Sequence, residues 1–158
     1  MVIFASISVF EFSAAAGLWG LFASAFVSAT ILPGSSEVVL VGLLTKYPGL
    51  YWQAIAVATL GNTFGGMTSY ALGRFIPNRI LENAEQGAQV RAMAWLKKYG
   101  QWALLLSWLP LVGDALCVAA GWLRYNLWGC LVLMAIGKLL RYWLIAGGWI
   151  WFSQTVLT

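Results

Sequence analysis

Charge is what this chain of 158 residues has least of: nine Lys and Arg and five Asp and Glu, 9% of the sequence against 61% hydrophobic residues. Soluble domains carry about 25% charged residues, so these few ionic side chains cannot coat a water-facing surface. That excludes a soluble enzyme and a disordered chain alike. Histidine is missing altogether, which removes the commonest general base and the commonest metal ligand. Only two cysteines are present, Cys117 and Cys130, both in apolar sequence without a C-x-x-C pattern. They read as buried thiols, not as a disulfide or a metal site. The net charge is only +4, and no basic stripe exists outside one segment. The partners expected are therefore membrane lipids, not nucleic acid. No basic residue precedes Lys46, so the n-region of a cleavable signal peptide is lacking and the N-terminal stretch is expected to be retained.

What the chain does have is apolar length and aromatic rings. Mean hydropathy is +0.81, and ten Trp, six Tyr and eight Phe suit a protein that meets membrane interfaces. Half of the charges fall in residues 74–98: Arg74, Arg79, Glu82, Glu85, Arg91, Lys97 and Lys98. That segment reads as a loop with a short surface helix. Its five Lys and Arg place it in the cytoplasm by the positive-inside rule, next to anionic headgroups. It separates two hydrophobic halves, 1–73 and 99–158.

Each half is irregular. Residues 47–73 carry no formal charge, and about 20 helical residues cross a ~30 Å hydrocarbon core. A transmembrane helix is expected over about 51–73. By contrast, Phe12–Ser36 is interrupted by Leu32-Pro33-Gly34-Ser35-Ser36 before Glu37, and Tyr99–Leu123 by Leu109-Pro110 and Gly113-Asp114. Pro removes a backbone donor and Gly weakens a helix. Two short arms around a polar break predict a re-entrant hairpin, one over about 17–45 and one over about 99–123. A second transmembrane helix is expected over about 125–152. The fold class is an all-α integral membrane protein of one domain.

Aligning Pro33 with Pro110 sets L-P-G-S-S-E-V-V-L-V against L-P-L-V-G-D-A-L-C-V. Both copies place a carboxylate four residues after the Pro, and each lies in the broken segment of its own half. One crossing between two such hairpins inverts the second, a transporter architecture. Glu37, Asp114, Lys138 and Arg141 all lie in apolar sequence, where an ionised side chain costs ~2.5 kcal/mol or more. Lys138 and Arg141 share a helix face. A polar centre is expected, in which Glu37 and Asp114 face Lys138 and Arg141. The alternatives are structural ion pairs, or two shorter segments that leave Lys138 and Arg141 at an interface. In the first crossing, Gly61, Gly65, Ser69 and Gly73 recur every four residues and let another helix approach. Beside them runs a polar stripe, Asn62, Gly66, Tyr70 and Arg74, expected to line a groove.

These residues carry a resemblance. The chain resembles the DedA superfamily of membrane proteins (VTT-domain or SNARE-associated-Golgi-type), most closely its short bacterial YqaA-type branch. The matching pieces are Leu32-Pro33-Gly34-Ser35-Ser36-Glu37, Gly61-Asn62-Thr63-Phe64-Gly65-Gly66 and Tyr70-Ala71-Leu72-Gly73-Arg74-Phe75. They continue as Trp95-Leu96-Lys97-Lys98-Tyr99-Gly100, Ser107 to Asp114, Ala120-Gly121-Trp122 and Gly137-Lys138-Leu139-Leu140-Arg141-Tyr142. The resemblance implies two re-entrant hairpins packed with transmembrane helices in the bacterial inner membrane. It also implies translocation of phospholipid or undecaprenyl phosphate, in some members dependent on the proton motive force. The wider family carries arginines around the second hairpin, the stretch that here holds Ser107 and Asp114. Lys138 and Arg141 are then the candidate basic partners.

The leading expectation is a lipid flippase or scramblase without cofactor or metal. Glu37, Asp114, Lys138, Arg141, Arg74, Asn62 and Tyr70 form its substrate and proton path, and Pro33, Gly34, Pro110 and Gly113 break its hairpins. The competing readings are an ion-coupled solute transporter and a helix-packing scaffold, and self-association is left open. An enzyme is not expected. Val112-Gly113-Asp114 lacks the first Gly of the intramembrane aspartyl protease segment, and Gly34-Ser35-Ser36 has no His to serve as base.

Overall fold

The computed structural model describes residues 2–29, 34–75, 88–109 and 112–156. The hairpin breaks at Pro33 and Pro110, and residues 76–87 of the basic segment, lie outside them. Among the described residues every regular element is helical. The elements are α1 (Val2–Ser28), α2 (Ser35–Lys46), a 3-10 turn (Pro48–Leu50) and α3 (Tyr51–Phe75). They continue with α4 (Ala88–Tyr99), a 3-10 segment (Gly100–Trp108), α5 (Val112–Trp122) and α6 (Leu127–Val156).

Both expected crossings are single helices. α6 is one continuous helix of 30 residues, so Lys138 and Arg141 do not sit in a gap between two shorter segments. By length and composition Leu127–Thr155 is the one candidate span among the described residues. α3 has 25 residues, about 37 Å at the helical rise. It is less apolar because its Gly, Thr, Asn and Ser residues lie inside the protein, among them Gly61, Asn62, Thr63, Gly65 and Ser69.

The arms differ from the expected pairs of short pieces. α2 and α5 are short, at 12 and 11 residues, or about 18 Å and 16 Å. α1 is not: its 27 residues begin at Val2 and reach about 40 Å. Gly17 and Gly20 each weaken it by roughly 1 kcal/mol, but without a Pro they do not break it. The first arm of the second half is instead a 3-10 helix of nine residues, well beyond the three or four usual for that geometry.

Specific contacts fix the directions. α1 and α2 run antiparallel: Ser28 meets Ser36, Gly17 lies against Leu43, and Ser13 meets Tyr47. α1 runs parallel to α3, with Gly61 against the Phe22 carbonyl, Gly65 against that of Phe26, and Ser69 donating to Ala29. The 3-10 segment runs parallel to α6 in the same way, with Gln101 beside Gly129 and the Leu105 carbonyl beside Gly137. α5 runs parallel to α3, pairing Cys117 with Gly66 and Gly121 with the Tyr70 carbonyl. α2 runs parallel to α6, pairing Ser36 with Tyr142 and Leu44 and Thr45 with Trp149 and Ile150. α3 and α6 are antiparallel, with Asn62 against Lys138 and Tyr51 beside Gly147.

Two buried clusters result. One joins Leu21, Leu40, Ile55 and Tyr142, and the other Tyr70, Leu96, Leu104, Leu116 and Met134. Both cysteines are free and buried. The outer faces of the helices keep large apolar side chains exposed, including Leu60, Phe64, Leu72, Val132, Ile136 and Leu144. In water that exposure would be costly, whereas against lipid tails it costs nothing.

Candidate functional site

A polar network sits midway along α3 and α6. Asn62 and Lys138 are both the twelfth residue of their helices, roughly 16 Å from the helix start. Lys138 is only 1% exposed. Its ammonium donates to the Asn62 backbone carbonyl at 2.6 Å and also to the Asn62 side-chain Oδ1. Asn62 Nδ2 in turn donates to the Tyr142 hydroxyl at 2.6 Å. With that oxygen accepting, the Tyr142 proton points to Ser36 Oγ, 2.9 Å away, and Ser36 donates to Ser28. One chain of donors thus links α6, α3, α2 and α1.

Beside it, Arg141 forms an ion pair with Glu37: Nε donates at 2.9 Å and Nη2 reaches the same oxygen. The pair is partly open, with side-chain exposures of 12% for Arg141 and 35% for Glu37. α2 presents Glu37 because Gly34, at φ 99°, turns the chain into the helix just before it. Only glycine adopts that left-handed conformation without a steric cost.

The expected pairing of two carboxylates with two cations is therefore realised only in part. Glu37 meets Arg141, but Lys138 is held by neutral oxygens. Asp114 is half-buried in the first turn of α5 and has no hydrogen bond or ion pair among the described residues. The reason is packing: α5 lies against α3 far more than against α6, so Lys138 and Arg141 act on the Asp114 carboxylate through space without bonding to it. Gly66 is the close neighbour instead, since a Cβ there would lie 2.9 Å from the Lys138 ammonium.

The stripe Asn62, Gly66, Tyr70 and Arg74 is not an open groove. Asn62, Gly66 and Tyr70 are buried against α5 and α6. The open, apolar groove along α3 lies on another face, lined by Phe22, Phe26, Phe64, Met67, Thr68 and Ala71. Tyr70 and Arg74 also stand apart from the centre: Tyr70 donates to the Tyr125 carbonyl at 2.6 Å, and Arg74 donates to the Tyr70 hydroxyl. The small residues serve two partners, α1 at Gly61, Gly65 and Ser69, and α5 at Gly73. Gly113 approaches the Ser107 carbonyl, which brings the start of α5 against the end of the 3-10 segment.

Three residues of the centre were missed from sequence: Ser28, Ser36 and Tyr142. Tyr142 was findable, because it lies four residues after Lys138 and so shares its helix face. The hydroxyls of Thr59 and Thr63, on the same helix as Asn62, are buried and have no partner among the described residues. No group of three carboxylates or thiols comes together among the described residues.

The fold and this centre define an all-helical membrane protein with a polar interior. Residues 32–148 match the VTT domain, and the chain belongs to that family, the DedA superfamily. It is 47% identical over 135 residues to the inner membrane protein YqaA of Escherichia coli, covering 85% of this chain and 92% of that one. The same figures hold for the inner membrane protein YqaA of Shigella flexneri. An uncharacterized protein of Haemophilus influenzae is 41% identical over 139 residues, covering 84% of this chain and 87% of that one. The chain is accordingly an integral protein of the bacterial inner membrane. No solved structure matches it.

Proposed function

We propose that this protein moves a lipid, a phospholipid or a polyprenyl phosphate, between the leaflets of the inner membrane, and that its path is built from two inverted repeats with re-entrant hairpins. The observation that carries the reading is the polar network midway along α3 and α6. A headgroup crossing ~30 Å of hydrocarbon needs polar partners on the way. Lys138 and Arg141 offer cations to a phosphate, and Glu37 and Asp114 offer carboxylates that can bind and release a proton. The hydroxyls of Thr59 and Thr63, unpartnered among the described residues, add donors beside Asn62.

The helix directions support the repeat. The first arm of each half runs parallel to its own crossing, the second arm runs parallel to the other half's crossing, and the crossings are antiparallel. A two-fold axis in the membrane plane generates that set of relations. Gly61-Asn62 and Gly137-Lys138 correspond in this scheme, and each glycine faces a carbonyl of its own first arm.

In this reading the basic segment 74–98 faces the cytoplasm. A Gly87→Cys variant should react with impermeant maleimide only after the inner leaflet is made accessible, because both native thiols are buried. Labelling in intact cells would reverse the orientation.

The function is tested by reconstitution into liposomes with fluorescent lipids of several headgroups, with and without a pH gradient. Translocation above protein-free vesicles is expected. Uptake of small ions or solutes without lipid movement would favour the ion-coupled solute transporter. Neither activity under any gradient would leave a scaffold held together by the glycine contacts.

A further inference from the structure

Arg124 occupies a backbone position that disfavours it. It follows α5 with φ 56°, and the backbone bonds Arg124 to Gly121 and Tyr125 to Ala120 close a Schellman motif around it. That left-handed position is usually glycine, and any other residue there is strained. A long cationic side chain is therefore held where the fold alone would select no side chain at all.

Its surroundings supply a use for the charge. Tyr70 donates to the carbonyl of Tyr125 at 2.6 Å, and Arg74 donates to the Tyr70 hydroxyl at 3.1 Å. The Tyr125 hydroxyl donates to the Leu96 carbonyl at 3.1 Å, directly before Lys97 and Lys98. This chain of bonds gathers Arg74, Arg124, Lys97 and Lys98 at one end of the molecule, all exposed. No acidic residue faces them among the described residues. The same end carries exposed rings: Phe75, Tyr99, Trp102 and Trp128. Aromatic side chains gather at headgroup depth, which places the cations level with lipid phosphates rather than in bulk water.

We propose that Arg74 and Arg124, flanked by Lys97 and Lys98, form a binding site for the phosphate of anionic lipid headgroups, separate from the polar centre at Lys138. The site draws anionic lipid to this end of the protein. It does not depend on translocation, so it stands or falls on binding alone.

The test is boundary-lipid selectivity in phosphatidylcholine vesicles with a minority of phosphatidylglycerol, read by spin-labelled forms of each lipid. The wild-type chain should prefer phosphatidylglycerol about fivefold at low salt, a preference that weakens as salt screens the surface charges. Arg124→Gln should lose most of that preference, and Arg124→Lys should keep it. Arg124→Gly should also lose it, yet melt about 2–4 °C higher as the strain is removed. Retention of the wild-type preference in Arg124→Gln would overturn the proposal. So would its abolition by millimolar inorganic phosphate, which would assign the site to a free anion.

Discussion

Lys138→Met is expected to raise the thermal stability of the protein while abolishing translocation. The ammonium of Lys138 is fully buried, its hydrogen bonds go only to Asn62, and no ion pair reaches it among the described residues. Burying a charge without a counter-ion costs several kcal/mol, and replacing buried charges by apolar groups of similar volume often stabilises by about 1–4 kcal/mol. Met keeps most of the length of the side chain. Asn62→Leu should do the reverse: it leaves the ammonium only the backbone carbonyl of residue 62 and removes the donor to the Tyr142 hydroxyl, at a cost of roughly 1–3 kcal/mol. Combining the two changes should recover most of that loss, a coupling readable by thermal unfolding in detergent as a double-mutant cycle. A Lys138→Met protein as unstable as Asn62→Leu would make the ammonium a strut between α3 and α6 and nothing more.

Gly121→Ala is expected to be among the most damaging of the Gly→Ala changes at the described glycines. Its Cβ would overlap the Tyr70 carbonyl oxygen and stand 2.8 Å from its carbon. At Gly73, on the facing helix, the Cβ would overlap the Val118 carbonyl oxygen in the same way. Both obstacles are backbone, so no side-chain rotation relieves them and α3 must separate from α5. Overpacking of this kind costs about 3 kcal/mol or more. Gly20→Ala is the control: nothing lies within 4 Å of that Cβ, and a helical Gly→Ala change there should stabilise by about 0.5–1 kcal/mol. Expression and melting temperature of the three variants decide the matter. A Gly121→Ala protein that melts with the wild type would mean that α3 and α5 are not in backbone contact.

The two long helices α3 and α6 were legible because lipid imposes composition over a fixed length. Residues 51–73 and 125–152 are long and contain no Pro despite four Gly each, and the helices end within a few residues of those limits. Arm lengths were less legible. Gly17 and Gly20 weaken α1 in isolation, but packing against α2 and α3 outweighs that propensity, and the 3-10 winding of Gly100–Trp108 has no composition that announces it. In the centre, the charges identified themselves by the cost of their burial, but their partners did not. Glu37 and Arg141 are 104 residues apart and Asn62 and Tyr142 are 80 apart, and only the tertiary packing brings them together. Asp114 was legible in part: Lys138 and Arg141 act on its carboxylate through space, but the choice of α5 for α3 over α6, which keeps it from a direct ion pair among the described residues, is not visible in sequence.

The central claim is that the network of Lys138, Asn62, Glu37 and Arg141 is the path of the lipid headgroup. Its most direct test is the lipid translocation rate of reconstituted Glu37→Gln and Lys138→Met beside the charge-keeping Glu37→Asp and Lys138→Arg, each at matched amounts of folded, inserted protein. The neutral variants should fall to the protein-free rate while the charge-keeping pair retains measurable activity. Neutral variants that are stably inserted and still move lipid at the wild-type rate would contradict the claim and reduce the polar centre to a structural feature of the fold.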